Sequence, residues 1–170
     1  MRRRPQIAVV GAGSRADHLA PVAEELGRAL VDEGYRVVCG GLGGVMEAVA
    51  RGARASEAAS GSDVIGLLPS LEAADANPFV DIVIPTGLSH GRNLLVVASA
   101  DVVVVVGGRA GTLSEVALAW QLGKPVVALS LTGGWAERVA GQAIDDRRPD
   151  TVVAAGSVRE ALAAVRSALT

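Results

Sequence analysis

Val102-Val103-Val104-Val105-Val106-Gly107-Gly108-Arg109-Ala110-Gly111-Thr112-Leu113-Ser114-Glu115 reads as a strand, a tight turn and the start of a helix. Five β-branched residues without a polar interruption suit a strand buried on both faces, which is the central position of a parallel sheet. Leu113, Val116, Ala117 and Trp120 then follow helical spacing. The same strand–turn–helix grammar repeats on either side. Gln6 to Val10 predicts a first strand, and Leu19, Val22, Ala23, Leu26, Ala29 and Leu30 a helix after it. Arg36 to Cys39 and Val64 to Leu68 predict strands around a helix over Val45 to Ala59. Asp81 to Ile84 predicts a strand and Ser89 to Ala98 a helix. Val126 to Leu129, Trp135 to Ala140, Thr151 to Ala154 and the stripe Val158, Ala161, Leu162, Val165, Leu169 complete the alternation. The expected fold is α/β: one doubly wound Rossmann-like domain over residues 1–170. Its sheet is mainly parallel, of about seven strands, with helices on both faces.

Composition narrows the function. The 170 residues are 50% hydrophobic with a formal net charge of −2. No apolar run reaches the ~20 residues of a membrane span; Ser99 and Asp101 break the densest stretch, Leu94 to Val106. A near-neutral charge and 2% aromatics argue against nucleic-acid binding. One cysteine, Cys39, excludes a disulfide framework, and His18 and His90 as the only histidines leave no metal motif. Arg2 to Arg4 read as a solvated basic start on the first strand rather than a signal peptide, so a cytoplasmic protein is expected.

Three strand-to-helix junctions are glycine-rich: Gly11-Ala12-Gly13-Ser14, Gly40-Gly41-Leu42-Gly43-Gly44 and Gly107-Gly108-Arg109-Ala110-Gly111-Thr112. In a parallel sheet all three share the carboxyl edge, where ligands bind. Glycines let backbone N–H groups approach an anion, and helix N-termini add partial positive charge. A small phosphorylated ligand is expected there. The first junction fits G-x-G-x-x-A, but the second strand ends in Cys39-Gly40 where a dinucleotide site needs an acid for the ribose. No G-K-S/T follows any glycine loop. No cofactor and no metal are expected.

Charged residues beside the loops carry two readings each. Arg92, in the first turn of its helix, opposes the helix dipole; it either pairs with a surface carboxylate or shares the site with an anion. Asn93 either meets a sugar or base or faces solvent. Glu115 is either the N3 acid of a capping box begun by Thr112, or a carboxylate that positions water or stabilises an oxocarbenium ion. Lys124, the single lysine, precedes Pro125 at the opposite edge of the sheet, which excludes Schiff-base chemistry in the site.

At these residues the chain resembles the Lonely Guy family of Rossmann proteins and its wider lysine-decarboxylase-like superfamily. The family's G-G-x-x-G-L-M element is matched by Gly40-Gly41-Leu42-Gly43-Gly44-Val45-Met46. Its P-G-G-x-G-T-x-x-E element is matched in part by Gly107 to Glu115, and its H-x-R-K element by His90-Gly91-Arg92 followed by Asn93. The resemblance implies a nucleoside 5′-monophosphate phosphoribohydrolase with Arg92 and Glu115 as catalytic pair. Ligand contacts would come from Gly11, Gly13, Ser14, Gly41, Gly43, Gly44, Met46, Asn93, Gly107, Gly108, Arg109, Gly111 and Thr112. It also implies a homodimer or higher homo-oligomer. Gly107 replaces the motif's proline, Arg109 its second glycine, Asn93 its lysine and Ser114 its penultimate acid. These departures bring the chain closer to a sister group similar to molybdenum-cofactor carriers. The alternative is therefore a non-catalytic carrier of molybdenum cofactor or another phosphorylated pterin or nucleotide.

Overall fold

The valine run is buried on both sides because it forms β5 (Val102–Val106) inside a seven-stranded sheet. The structure, a computed structural model, describes residues 3–170. The other strands are β1 (Gln6–Gly11), β2 (Arg36–Cys39), β3 (Val64–Leu68), β4 (Ile82–Pro85), β6 (Val126–Leu129) and β7 (Val153–Ala155). Their order is β4-β3-β2-β1-β5-β6-β7, with every neighbouring pair parallel. The helices are α1 (Ala20–Asp32), α2 (Val45–Arg54), α3 (Arg92–Ala98), α4 (Ala110–Gln121), α5 (Gly134–Val139) and α6 (Val158–Ala168). Val102, Val104 and Val106 pack with α1, α2 and α6; Val103 and Val105 pack with α3, α4 and α5. Strand alternation thus feeds two cores, one on each face. No helix is long and apolar enough to cross a membrane.

From β1 the chain winds outward to β4, then returns to place β5 on the other side of β1. The connections leave β1 and β5 in opposite directions, which opens a crevice between their carboxyl ends. On the far face of β1, helices α1 and α2 approach backbone to backbone. A Cβ on Gly27 would lie 2.0 Å from the carbonyl oxygen of Val49, and one on Gly52 2.0 Å from that of Glu24. Arg51 ties the same helices together through Glu24 at 2.6 Å.

Element ends depart from the sequence reading where distant groups intervene. Helix α2 stops at Arg54 rather than Ala59. The Ser56 hydroxyl donates to Asp32 at 2.5 Å and accepts from the Ala58 N–H, closing a turn in place of another helical one. Strand β4 starts at Ile82 rather than Asp81, because the Asp81 carboxylate accepts the N–H groups of Asp63 and Val64. Strand β7 starts at Val153 rather than Thr151, since Val152 exchanges backbone hydrogen bonds with Gly141 and Gln142. The helix expected from Ser89 is a short 3-10 turn at Ser89–Gly91 before α3. The basic start is not a solvated end. Arg2 lies outside the described residues, but Arg3 pairs with Asp101 at 2.6 Å and Arg4 with the buried Asp63 at 2.9 Å, pinning the entry to β1.

Candidate functional site

The floor of the crevice is β1 and its wall is α4. The α4 helix begins at Ala110, with Arg109 at the N-cap and no side-chain cap on its first N–H groups. Those N–H groups lack intrahelical partners and face an anion favourably. Thr112 is accordingly inside the helix and is not its N-cap, and Glu115 lies beyond the first turn. The capping-box reading of Glu115 is overturned. Gly107 and Gly108, both at positive φ, turn the chain sharply enough for the helix to start this early.

Freed from capping, Glu115 turns toward Arg92. The carboxylate Oε1 lies 3.8 Å from Nη1 of Arg92, and the two residues are 7% and 8% exposed. At that separation they attract as charges without a hydrogen bond. Burial pushes the Glu115 carboxyl up to about 7, against the opposing pull of Arg92. The same burial holds the Arg92 guanidinium below its ordinary range. Arg92 Nε is buried with no hydrogen-bond partner among the described residues. Buried polar atoms are nearly always paired, so the orphaned Nε and the loose ion pair mark an arrangement that a bound group would complete.

Gly40 positions the guanidinium. A Cβ there would lie 2.3 Å from Arg92 Nη1 and 2.6 Å from Cζ. Arg92 therefore lies flat on the end of β2, which only glycine allows. Asn93 donates from Nδ2 to the Ser114 hydroxyl at 3.0 Å, and that hydroxyl donates to the Gly111 carbonyl at 2.6 Å. Ser114, at the position of the motif's penultimate acid, thereby links α3 to α4. Cys39 beneath the site has its thiol pushed up to about 11 by burial, which removes it as a nucleophile.

These groups surround a cavity of about 170 Å³. Of the residues expected from sequence, Gly11, Gly13, Met46, Arg92, Asn93, Arg109, Gly111, Thr112 and Glu115 line it. Ala12, Gly40 and His90 also line it, and sequence reasoning did not single them out as contacts. The signal for Gly40 and His90 was present, since both stand inside the quoted motifs. Ser14, Gly107 and Gly108 fall instead in an adjoining cavity of about 160 Å³. Gly44 lies in a third depression, beside Glu47 and Arg51. Gly41 and Gly43 line none of the three: Gly41 packs against Leu68 and Gly66, and Gly43 approaches the Gly13 carbonyl. Lys124 sits at the opposite edge, bonded to the carbonyls of Ala98 and Ala100.

The chain is similar to several known proteins over most or all of its length. A protein of Archaeoglobus fulgidus, itself uncharacterized, is 40% identical over 124 residues, 73% of this chain and 79% of its own. The X-ray structure of TM1055 superposes with a TM-score of 0.87 at 37% identity, covering 96% of this chain and 99% of that one. The molybdenum cofactor binding protein of the phototrophic bacterium Rippkaea orientalis gives a TM-score of 0.82 at 33% identity, covering 100% of both chains. The molybdenum cofactor carrier protein of Chlamydomonas reinhardtii gives 0.82 at 35% identity, covering 98% of each. The resemblance to Lonely Guy-type Rossmann proteins, on the side of the molybdenum-cofactor carriers, is borne out. The sequence model of the SLOG cluster4 family matches residues 4–162, and the chain belongs to that family.

Proposed function

We propose that the protein is a non-catalytic binding or carrier protein for molybdenum cofactor or another phosphorylated pterin, held in the crevice between β1 and β5. The observation that carries this reading is the incomplete Arg92–Glu115 pair inside the crevice. Arg92 retains an unused donor, and Glu115, close to its ionisation midpoint near neutral pH, can accept or donate. A pterin ring presents ring N–H, amino and carbonyl groups that match such a pair. The uncapped start of α4 suits the ligand's phosphate. The similarity to carrier and binding proteins of molybdenum cofactor supports the same class. The test is transfer of cofactor released from a molybdoenzyme. Purified protein should retain pterin fluorescence and molybdenum through gel filtration, and Arg92→Ala should lose both. Failure of the folded wild type to retain either counts against the reading.

The contact between Arg92 and Glu115 also favours a second reading, hydrolysis of a nucleoside 5′-monophosphate to free base and ribose 5-phosphate. An ionised Glu115 would stabilise the ribosyl cation or hold the attacking water, and Arg92 would orient it. Base release by wild type and not by Glu115→Gln supports this reading; no release across a panel of monophosphates removes it. The proposal includes a homo-oligomer, supported by apolar side chains left exposed on β4 (Ile82, Ile84), on α3 (Leu94) and on the connection between them (Leu88). Sedimentation velocity tests it, a monomer counting against.

A further inference from the structure

The crevice has two lobes. Ala12 and Arg109 line both the cavity that holds the buried pair, its inner lobe, and the adjoining outer one. The inner lobe is also bordered by the half-buried Asn93. The two ends of an asparagine amide are nearly the same shape, so its orientation follows from what its neighbours donate and accept. Here the neighbour is Ser114. A hydroxyl has one proton, and that of Ser114 goes to the Gly111 carbonyl at 2.6 Å. Toward Asn93, 3.0 Å away, the Ser114 oxygen can then only accept. Asn93 must turn its NH₂ group to Ser114, which leaves its carbonyl Oδ1 at the other end of the amide.

That Oδ1 accepts no hydrogen bond among the described residues. The chain's other asparagine, Asn77, spends both ends: Nδ2 donates to the Leu42 carbonyl at 2.9 Å and Oδ1 accepts from the Phe79 N–H at 3.1 Å. Asn93 and Ser114 stand where the family motif has a lysine and an acid. Both charged residues are replaced by neutral ones, and the neutral ones bond each other. The inner lobe therefore offers a ligand ring two acceptors, Asn93 Oδ1 and an ionised Glu115, and the unused donor Nε of Arg92. A 2-amino-4-oxopyrimidine edge presents the complement, two N–H donors and one carbonyl. The amino edge of adenine presents one donor and one acceptor and leaves an acceptor of the site unmet.

We propose that Asn93, held by Ser114, is the ring-specificity residue of this site: its Oδ1 accepts the exocyclic amino group of a 2-amino-4-oxopyrimidine ring, the edge shared by pterins and guanine. This rests on the reading of the crevice as a ring-binding site and deepens it by naming the edge that is read. A ring with oxygen in place of the amino group sets two acceptors face to face and is rejected. Ser114 acts through Asn93 and is a positioning residue. Without its oxygen the amide is free to turn and offer NH₂ to the same ring position.

The test is fluorescence titration with neopterin monophosphate and its deaminated counterpart, the 2-oxo lumazine with the same side chain, at slightly acid pH where both rings are neutral. Wild type should bind the pterin about tenfold more tightly, the value of one well-made hydrogen bond. Asn93→Leu should lose that preference, and Asn93→Asp, which keeps an acceptor there, should retain it. Ser114→Ala should bind the lumazine severalfold more tightly than wild type does, a gain that a merely loosened site cannot produce. Should Asn93→Leu fail to fold, Ser114→Ala carries the test, because Ser114 is exposed; a lumazine affinity no higher than that of wild type overturns the assignment. Equal binding of the two rings by wild type, or an unchanged preference in Asn93→Leu, overturns it too and leaves the pterin reading standing. Binding of neither ring refutes the pterin class, and guanosine and inosine monophosphates, which differ by the same amino group, then decide the edge. The same preference for guanosine monophosphate, lost in Asn93→Leu, upholds Asn93; equal binding or none overturns it.

Discussion

Burial of Glu115 beside Arg92 makes stability depend on pH in a definite direction. The folded-state carboxyl is raised from 4.5 to about 7, so the protonated form is the one the fold prefers. Its contribution is complete below pH 4.5 and is lost as pH rises through about 7. The loss amounts to about 3 kcal/mol. Glu115→Gln removes the titration. Urea unfolding at pH 5 and pH 8 should therefore show the wild type losing stability relative to Glu115→Gln, and parallel profiles would contradict the burial. Gly40 makes a second prediction. Gly40→Ala inserts a methyl 2.3 Å from Arg92 Nη1, and the flexible guanidinium is the part able to move. Binding of neopterin monophosphate should fall about tenfold, as for a lost charge-assisted contact, with only a small drop in Tm. Unchanged affinity would show that Arg92 does not need its seat on β2. Of this site, Arg92 and Glu115 were legible as a pair only through the resemblance to the family's motifs, since spacing alone left each with two readings. What Glu115 does was not legible. Its capping reading depended on where α4 starts, and the turn at Gly107 and Gly108 sets that start. Arg15 and His18 were invisible as cavity-lining residues, since their neighbourhood with Arg109 exists only once β1 lies beside β5.

Strands were the easiest elements to read and their ends the hardest. A run such as Val102–Val106 declares itself because both faces need apolar side chains. The start of β4 depends instead on Asp81 capping N–H groups of Asp63 and Val64, and the start of β7 on Val152 bonding back to the 141–142 loop. Neither contact is local enough for a periodicity to register. The packing of α1 on α2 is a further case. Sequence shows Gly27 and Gly52 as weak points in two helices, where glycine costs about 1 kcal/mol against alanine. The structure inverts that expectation, because each glycine lets the facing helix backbone come within what would be 2.0 Å of a Cβ. Backbone cannot yield as a side-chain tip can. Gly27→Ala and Gly52→Ala should each destabilise by roughly 1–3 kcal/mol despite better helix propensity. Chemical denaturation reads this directly; stabilisation by either substitution would show that the helices sit farther apart.

At the scale of the whole molecule, the crevice exists because the winding order reverses between β1 and β5, the two strands at the middle of the sheet. The alternation of strands and helices announced a parallel sheet, but not which pair of strands would flank the reversal. That pairing is set by which helices cover which face, a property of all seven strands together. It has a consequence for ligand binding. The inner lobe takes residues from β1 (Val9, Val10), from the end of β2 (Gly40), from α3 (Arg92) and from α4 (Glu115), so a bound ligand contacts both cores through their common strands. Binding should then resist global unfolding rather than only quiet the loops. At a ligand concentration of a hundred times Kd the added stability is about 2.7 kcal/mol, which for a domain of this size raises Tm by roughly 5–10 °C. Hydrogen exchange with the phosphorylated pterin present should slow in β1 and β5 by the same free energy as the Tm shift implies. Protection confined to the glycine turns, with β1 and β5 exchanging as before, would mean that the ligand rests on the rim and does not reach the Arg92–Glu115 pair.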